Sequence, residues 1–217
     1  MKTRNITMNQ NARLTIDEKI TDVIFDFGQV LVKFDPEYMC RRHITDDDDV
    51  KMLCEILFSR CYWDRLDAGT ISDEELILDV KTKIPKRLHE AAEKIYFNWI
   101  YALPEIEGMR EVISLCRERG YGVYLLSNIS EYFALHKDEI PILSLLDGCV
   151  FSATAGSTKP SEEIFAHITE KFNLTPCKTL FVDDNIMNVN GAEKFGINSY
   201  LFDGNASGLY NFIKNLP

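Results

Sequence analysis

The sequence predicts an α/β protein, a doubly wound parallel sheet covered by helices on both faces, with a helical segment inserted after the first strand. Three observations predict it. Short runs of consecutive apolar residues recur along the chain, as strands buried on both faces require. Helical patterns alternate with the last four of these runs. One gap between runs is far longer than a simple crossover needs, and most of it reads as helix.

Residues 1–20 are polar and weakly patterned, and read as a tail. The first strand is Val23-Ile24-Phe25, ending in Asp26. Beyond it, apolar residues fall at helical spacing over 46–59, 73–83 and 86–101. Ser72-Asp73-Glu74-Glu75 is a capping box, with Ser72 capping the first turn and Glu75 reaching back. The helical insertion is therefore placed at 36–103, leaving 21–35 and 104–217 for the α/β unit. In that unit helices are expected at 105–119, 131–138, 161–173, 187–195 and 207–215. They separate the runs Val123-Tyr124-Leu125-Leu126, Cys149-Val150-Phe151, Leu180-Phe181-Val182 and Ser199-Tyr200-Leu201-Phe202.

The chain has 217 residues and a formal net charge of -10. Such a charge repels nucleic acid and anionic membranes, so neither is expected as a partner. An anionic small molecule needs a local positive centre, a metal ion or a buried lysine. The stretch MKTRNITMNQNAR has no apolar export segment, and no apolar run is long enough to span a bilayer. The six cysteines show no CxxC pairing and read as reduced thiols, so a cytoplasmic protein is expected. The acidic run 46–49 lacks the spaced ligands and glycine of a calcium loop and reads as a solvated helix start. Gly120-Tyr121-Gly122 precedes a strand, so it is not a dinucleotide-binding turn. The four histidines are isolated and no GxSxG elbow is present. Nothing in the sequence indicates an oligomeric state.

Polar groups gather at strand ends. The first strand ends in Asp26, the second in Ser127-Asn128, the fourth in Asp183-Asp184, and Lys159 follows the third. In an open parallel sheet the crevice beyond the strands' carboxyl ends is where ligands bind. These residue types suit phosphoryl transfer. Carboxylates of Asp26 and Asp184 can hold magnesium, and a carboxylate can be the nucleophile. The Ser127 hydroxyl can donate to a phosphoryl oxygen, and Lys159 can neutralise developing charge.

With these four motifs in order, after residue 20 the chain resembles the haloacid dehalogenase-like hydrolase superfamily, and within it the helical-cap branch of sugar-phosphate phosphatases with an FDxGxVL first motif. The resemblance implies catalytic roles for Asp26, Ser127, Lys159 and Asp183. It implies a magnesium ion held by Asp26, the Gly28 carbonyl, Asp184 and Asn188. It also implies a cap at 36–103, with Trp63, Arg65 and Asp67 of the run WDRLDAGTISDEEL contacting the substrate alongside Gly28 and Asn128. The expected activity is magnesium-dependent hydrolysis of small phosphorylated metabolites, sugar phosphates by that branch's example, through an aspartyl-phosphate. One position departs from the pattern. Most phosphatases of the superfamily carry a second Asp two residues after the nucleophile to protonate the leaving group, and here that residue is Gly28. The leaving oxygen must then depart as an anion or take its proton from water, the cap or the substrate. The gap keeps two alternatives open, a metal-independent haloacid dehalogenase and a non-catalytic phosphate-ligand-binding protein. The dehalogenases, however, lack the Asp-Asp pair.

Overall fold

A computed structural model describes residues 19–217, so all but the end of the 1–20 tail lies outside the described residues. Five strands, β1 (Asp22–Phe25), β2 (Gly122–Ser127), β3 (Gly148–Phe151), β4 (Thr179–Asp183) and β5 (Asn198–Leu201), form one all-parallel sheet in the order β3-β2-β1-β4-β5. The chain winds out from β1 to one edge and then from β4 to the other. The carboxyl ends of β1, β2 and β4 therefore lie side by side at the switch between the two halves.

The runs are apolar at consecutive positions because both faces are covered. Val23, Phe25, Leu180 and Val182 join one large hydrophobic cluster, whereas the intervening Ile24 and Phe181 join a second one with Ile164, Phe165 and Ile168. Side chains alternate across a strand, so each face needs its own apolar set. The second cluster is roofed by α9 (Glu162–Phe172) and α10 (Ile186–Phe195). On the other face lie α6 (Met109–Glu118) and α11 (Ala206–Lys214), which pack on each other. Helix α6 starts later than its pattern suggests. Glu105 is held in a bridge with Val32, and Gly108, at φ 89°, turns the chain into the helix.

Between β1 and β2 run α1 (Pro36–Arg41), α2 (Asp47–Leu57), α3 (Arg60–Asp67), α4 (Asp73–Lys83) and α5 (His89–Asn98), the last flanked by 3-10 turns at Lys86–Leu88 and Trp99–Ala102. Three short helices stand outside the expected pattern, α1 and α3 here and α8 (Ser152–Ala155) after β3; α7 (Glu131–His136) follows β2 as expected. The capping box at Ser72 forms, with Ser72 and Glu75 bonded reciprocally. At the acidic start of α2, the exposed Asp46 caps the helix and Asp49 is bound by both terminal nitrogens of the Arg87 guanidinium, so these two carboxylates are engaged in holding the helix start. The helical segment and the sheet share one hydrophobic cluster rather than two. An aromatic chain crosses between them: Phe27 meets Phe133 at 4.8 Å, Phe133 stacks on Trp99 at 5.7 Å, and Trp99 meets Trp63 at 5.3 Å. Asp73 adds a polar tie, accepting the Tyr96 hydroxyl at 2.6 Å and the Tyr132 amide of α7 at 3.3 Å. Among the described residues no helix is long and apolar enough to cross a membrane.

Candidate active site

A cavity of about 400 Å³ opens at the switch point. Asp26, Gly28, Ser127, Asn128, Lys159, Asp184 and Asn188 line it from the sheet side, and Arg60, Trp63, Asp67 and Trp99 from the helical segment.

Lys159 is its centre. Its ammonium lies 2.7 Å from Asp26 Oδ1 and 2.7 Å from Asp183 Oδ2, and its side chain is 1% exposed. A lysine this deep is tolerated only when paired. Burial alone would lower the ammonium's pKa, but Asp183 and Asp26 outweigh it and the net shift is upward. Asp183 is fully engaged. Its Oδ1 accepts the Asn185 amide at 2.8 Å, and Asn188 Nδ2 donates to both its oxygens at 3.1 Å. Asp183 thus holds Lys159, and Asn188 holds Asp183. Asn128 fixes the lysine's main chain, with Nδ2 donating to the Lys159 carbonyl and Oδ1 accepting its N–H. Ser127, the last residue of β2, is buried and lines the same cavity as Asp26.

Asp26 leaves β1 with its N–H donated to the Val182 carbonyl at 2.9 Å, which holds it at the carboxyl end of the central strand. Burial pushes its carboxyl up; Lys159 draws it back, Asp183 adds to the rise, and it ends at about 7. Carboxylate oxygens of Asp26, Asp183 and Asp184 lie within 4.8 Å of one another. Three carboxylates against one ammonium leave an excess of negative charge in a mostly buried place. Hard oxygen donors with uncompensated charge are what a magnesium ion requires, so this donor set fits that metal.

Gly28 follows in a tight loop where Val32 N–H donates to the Phe27 carbonyl and Gln29 N–H to that of Val32. A Cβ placed on Gly28 would meet nothing within 4 Å. The glycine is therefore not demanded by crowding, and the cavity has room beside it.

On the helical side, the run that begins at Trp63 is in its first part the helix α3. Arg60, Trp63 and Asp67 recur at helical spacing and face the cavity together. Arg65 is not among the lining residues; its charge acts on Asp79 and its carbonyl anchors the Thr70 turn. Arg60, Trp99 and Phe34 line the cavity although the motifs gave no notice of them. Periodicity along α3 would have found Arg60, three residues before Trp63. Trp99 and Phe34 come from a 3-10 turn and a loop and follow no period. The turn after α3 is seated by close packing: a Cβ on Gly69, at φ 65°, would stand 3.1 Å from the Ala153 carbonyl of α8.

A sequence model of the haloacid dehalogenase-like hydrolases matches residues 9–196. The chain belongs to that family. It is a hydrolase with the family's α/β fold. Among curated relatives it is similar to flavin mononucleotide hydrolase 1 of Arabidopsis thaliana, 23% identical over 71% of this chain and 61% of that protein, so it spans under two thirds of that relative's length. It is also similar to a phosphorylated carbohydrates phosphatase of Thermotoga maritima, 24% identical over 81% of each chain. Among solved structures, a HAD-family enzyme of Bacteroides thetaiotaomicron, in complex with magnesium and inorganic phosphate, superposes with a TM-score of 0.59 at 21% identity, covering 83% of this chain and 93% of the other.

Proposed function

We propose that this HAD-like hydrolase is a magnesium-dependent phosphatase of small phosphorylated metabolites, with sugar phosphates the leading class, and that α1–α5 act as its cap. The observation that carries the reading is the placement of Lys159 between Asp26 and Asp183, with Asp184 completing an acidic cluster at the end of the sheet. Of the three carboxylates, Asp183 is fully buried and Asp184 is exposed, whereas Asp26 stands in the cavity at the end of β1, paired with Lys159 and with 13% of its side chain open. It attacks phosphorus, the bond to the leaving oxygen breaks, and an aspartyl-phosphate forms. Water then cleaves that ester and returns the carboxylate. Lys159 and Ser127 hold phosphoryl oxygens, with Lys159 opposing the charge that grows on them. Asp183 and Asn128 keep Lys159 in place. Magnesium, held by Asp26, Asp184 and the Gly28 carbonyl, would neutralise phosphate charge when bound. The aromatic wall of Phe34, Trp63 and Trp99 offers ring faces to the leaving group, and a relative named for phosphorylated carbohydrates supports the sugar-phosphate class.

Phosphate release from a panel of phosphate esters tests the reading. Activity should require magnesium, stop in chelator and return when the metal is restored. Asp26→Asn should abolish turnover with the fold intact, and Asp184→Ala should raise the magnesium concentration needed. Release of halide from haloacids with the metal chelated would instead identify a dehalogenase, and phosphate-ester binding without any turnover would identify a binding protein.

A further inference from the structure

Breaking an alkyl phosphate leaves an oxygen that must gain a proton, and Gly28 has no group to give one. Among the described residues, the ionisable side chains lining the cavity are Asp26, Arg60, Asp67, Lys159 and Asp184. Asp26 attacks phosphorus, and Asp184 belongs to the acidic cluster. Lys159 is clamped between two carboxylates, and a guanidinium does not release its proton in a protein. Asp67 is left, on the opposite wall from the sheet.

We infer that Asp67, reaching into the cavity from the end of α3, is the general acid that protonates the leaving oxygen and the base that then activates water. The inference rests on the aspartyl-phosphate reading above. Two features of the structure set Asp67 apart. Its Oδ1 is shut off from solvent and has no hydrogen-bond partner, so an ionised carboxylate there would be poorly solvated. It is also the last residue of α3, where the helix's free carbonyls disfavour negative charge. Both favour a carboxyl that carries its proton until a substrate arrives. The charged and titratable groups around it are Arg60 and Asp64 on its own helix, Tyr96 of α5, and Lys159 across the cavity. Burial raises the carboxyl, Arg60 and Lys159 pull it down, Asp64 pushes it up, and it settles at about 7. An acid poised there can both give and take a proton near neutral pH.

The steps balance. Asp26 Oδ forms a bond to phosphorus as the bond from phosphorus to the leaving oxygen breaks. That oxygen keeps the electron pair and takes the Asp67 proton, giving an alcohol and an Asp67 carboxylate. Water then attacks the aspartyl-phosphate and yields its proton to Asp67. The phosphorus–Asp26 bond breaks, releasing inorganic phosphate and restoring both side chains.

The test uses the full chain with saturating magnesium and a series of phosphate monoesters, from 4-nitrophenyl phosphate to glycerol phosphate. The quantity read is kcat/KM, which covers steps only through formation of the aspartyl-phosphate. In Asp67→Asn the loss should grow with the leaving group's pKa, smallest on the aryl ester and reaching about 10²–10⁴-fold on the alkyl ester. In wild type, alkyl-ester kcat/KM should fall above about pH 7, and Asp67→Asn should lack that limb. Gly28→Asp, for which the structure has room, should restore alkyl-ester hydrolysis to Asp67→Asn. An equal loss on aryl and alkyl esters, or no loss on either, overturns the inference alone. Failure of the wild-type protein to hydrolyse any ester, the aryl one included, overturns the phosphatase reading and this inference with it.

Discussion

Asn128 and Lys159 are joined by two reciprocal hydrogen bonds, Asn128 Nδ2 to the Lys159 carbonyl at 3.0 Å and Lys159 N–H to Asn128 Oδ1 at 2.8 Å. The pair bridges the end of β2 and the loop before α9, and it fixes the main chain from which the buried ammonium projects. Asn128 is thereby a positioning residue for Lys159. Asn128→Ala should lower kcat by about 10²-fold, the scale set by misplacing a catalytic group by about 1 Å. Asn128→Asp, which keeps the acceptor for Lys159 N–H, should fall in between. A rise in KM with kcat untouched would mean that Asn128 binds substrate instead.

The Lys159 ammonium is the counter-charge for two carboxylates that would otherwise face each other in a buried site. In chelator, Lys159→Met should lower Tm by on the order of 10 °C, since stripping one partner from a buried ion pair costs about 3–5 kcal/mol. Adding Asp183→Asn should return much of that loss by removing an uncompensated charge. Thermal melts of the two variants check this; no recovery in the double variant would rule out charge imbalance as the cause.

The Asp67 carboxyl predicts a pH signature in stability. Its native pKa, about 7, lies above the ordinary 3.8. Between those values the native state binds more protons than the unfolded state, so the contribution to stability falls as pH rises and the full cost is reached above about 7. Asp67→Asn, which is never charged, should therefore melt several degrees above wild type at alkaline pH. The difference should shrink on acidification and vanish below about 3.8. Parallel melting curves across that range would show that Asp67 titrates normally.

Substrate ranking should respond to one face of α3 and not to the other. Arg60→Ala and Trp63→Phe should reorder the preferred phosphate esters, whereas Arg65→Ala, outside the cavity lining, should not. Specificity constants across the same panel decide it. Reordering by Arg65→Ala with none by Arg60→Ala would place the substrate on the wrong side of the helix.

Much of this architecture is legible in the sequence because burial on both faces leaves a plain mark. Val23-Ile24-Phe25 and Leu180-Phe181-Val182 are unbroken apolar runs, since each alternate residue serves a different hydrophobic cluster. The strand-end residues Asp26, Ser127 and Asp184 are legible because polar groups have no packing reason to follow such runs, and the structure brings all three to one cavity. Less could be read where short elements meet. The helix expected at 46–59 ends at Leu57, and the break before α3 turns on Phe58 and Ser59, which look no different from helix interior. That break decides which α3 side chains face the cavity, and so why Arg60 was missed. The tie from Asn188 to Asp183 is a tertiary hydrogen bond, invisible to periodicity.

Trp63 and Trp99 are the protein's two tryptophans, and both stand in the cavity wall, 5.3 Å apart. Intrinsic fluorescence excited in the indole band therefore comes wholly from the rim of this one site. Any molecule that enters, or any change in how α3 sits over Asp26, alters the surroundings of every emitter at once. The protein thus carries a built-in optical reporter, and titrating a phosphate ester against the unlabelled Asp26→Asn variant should give a binding isotherm directly from the emission.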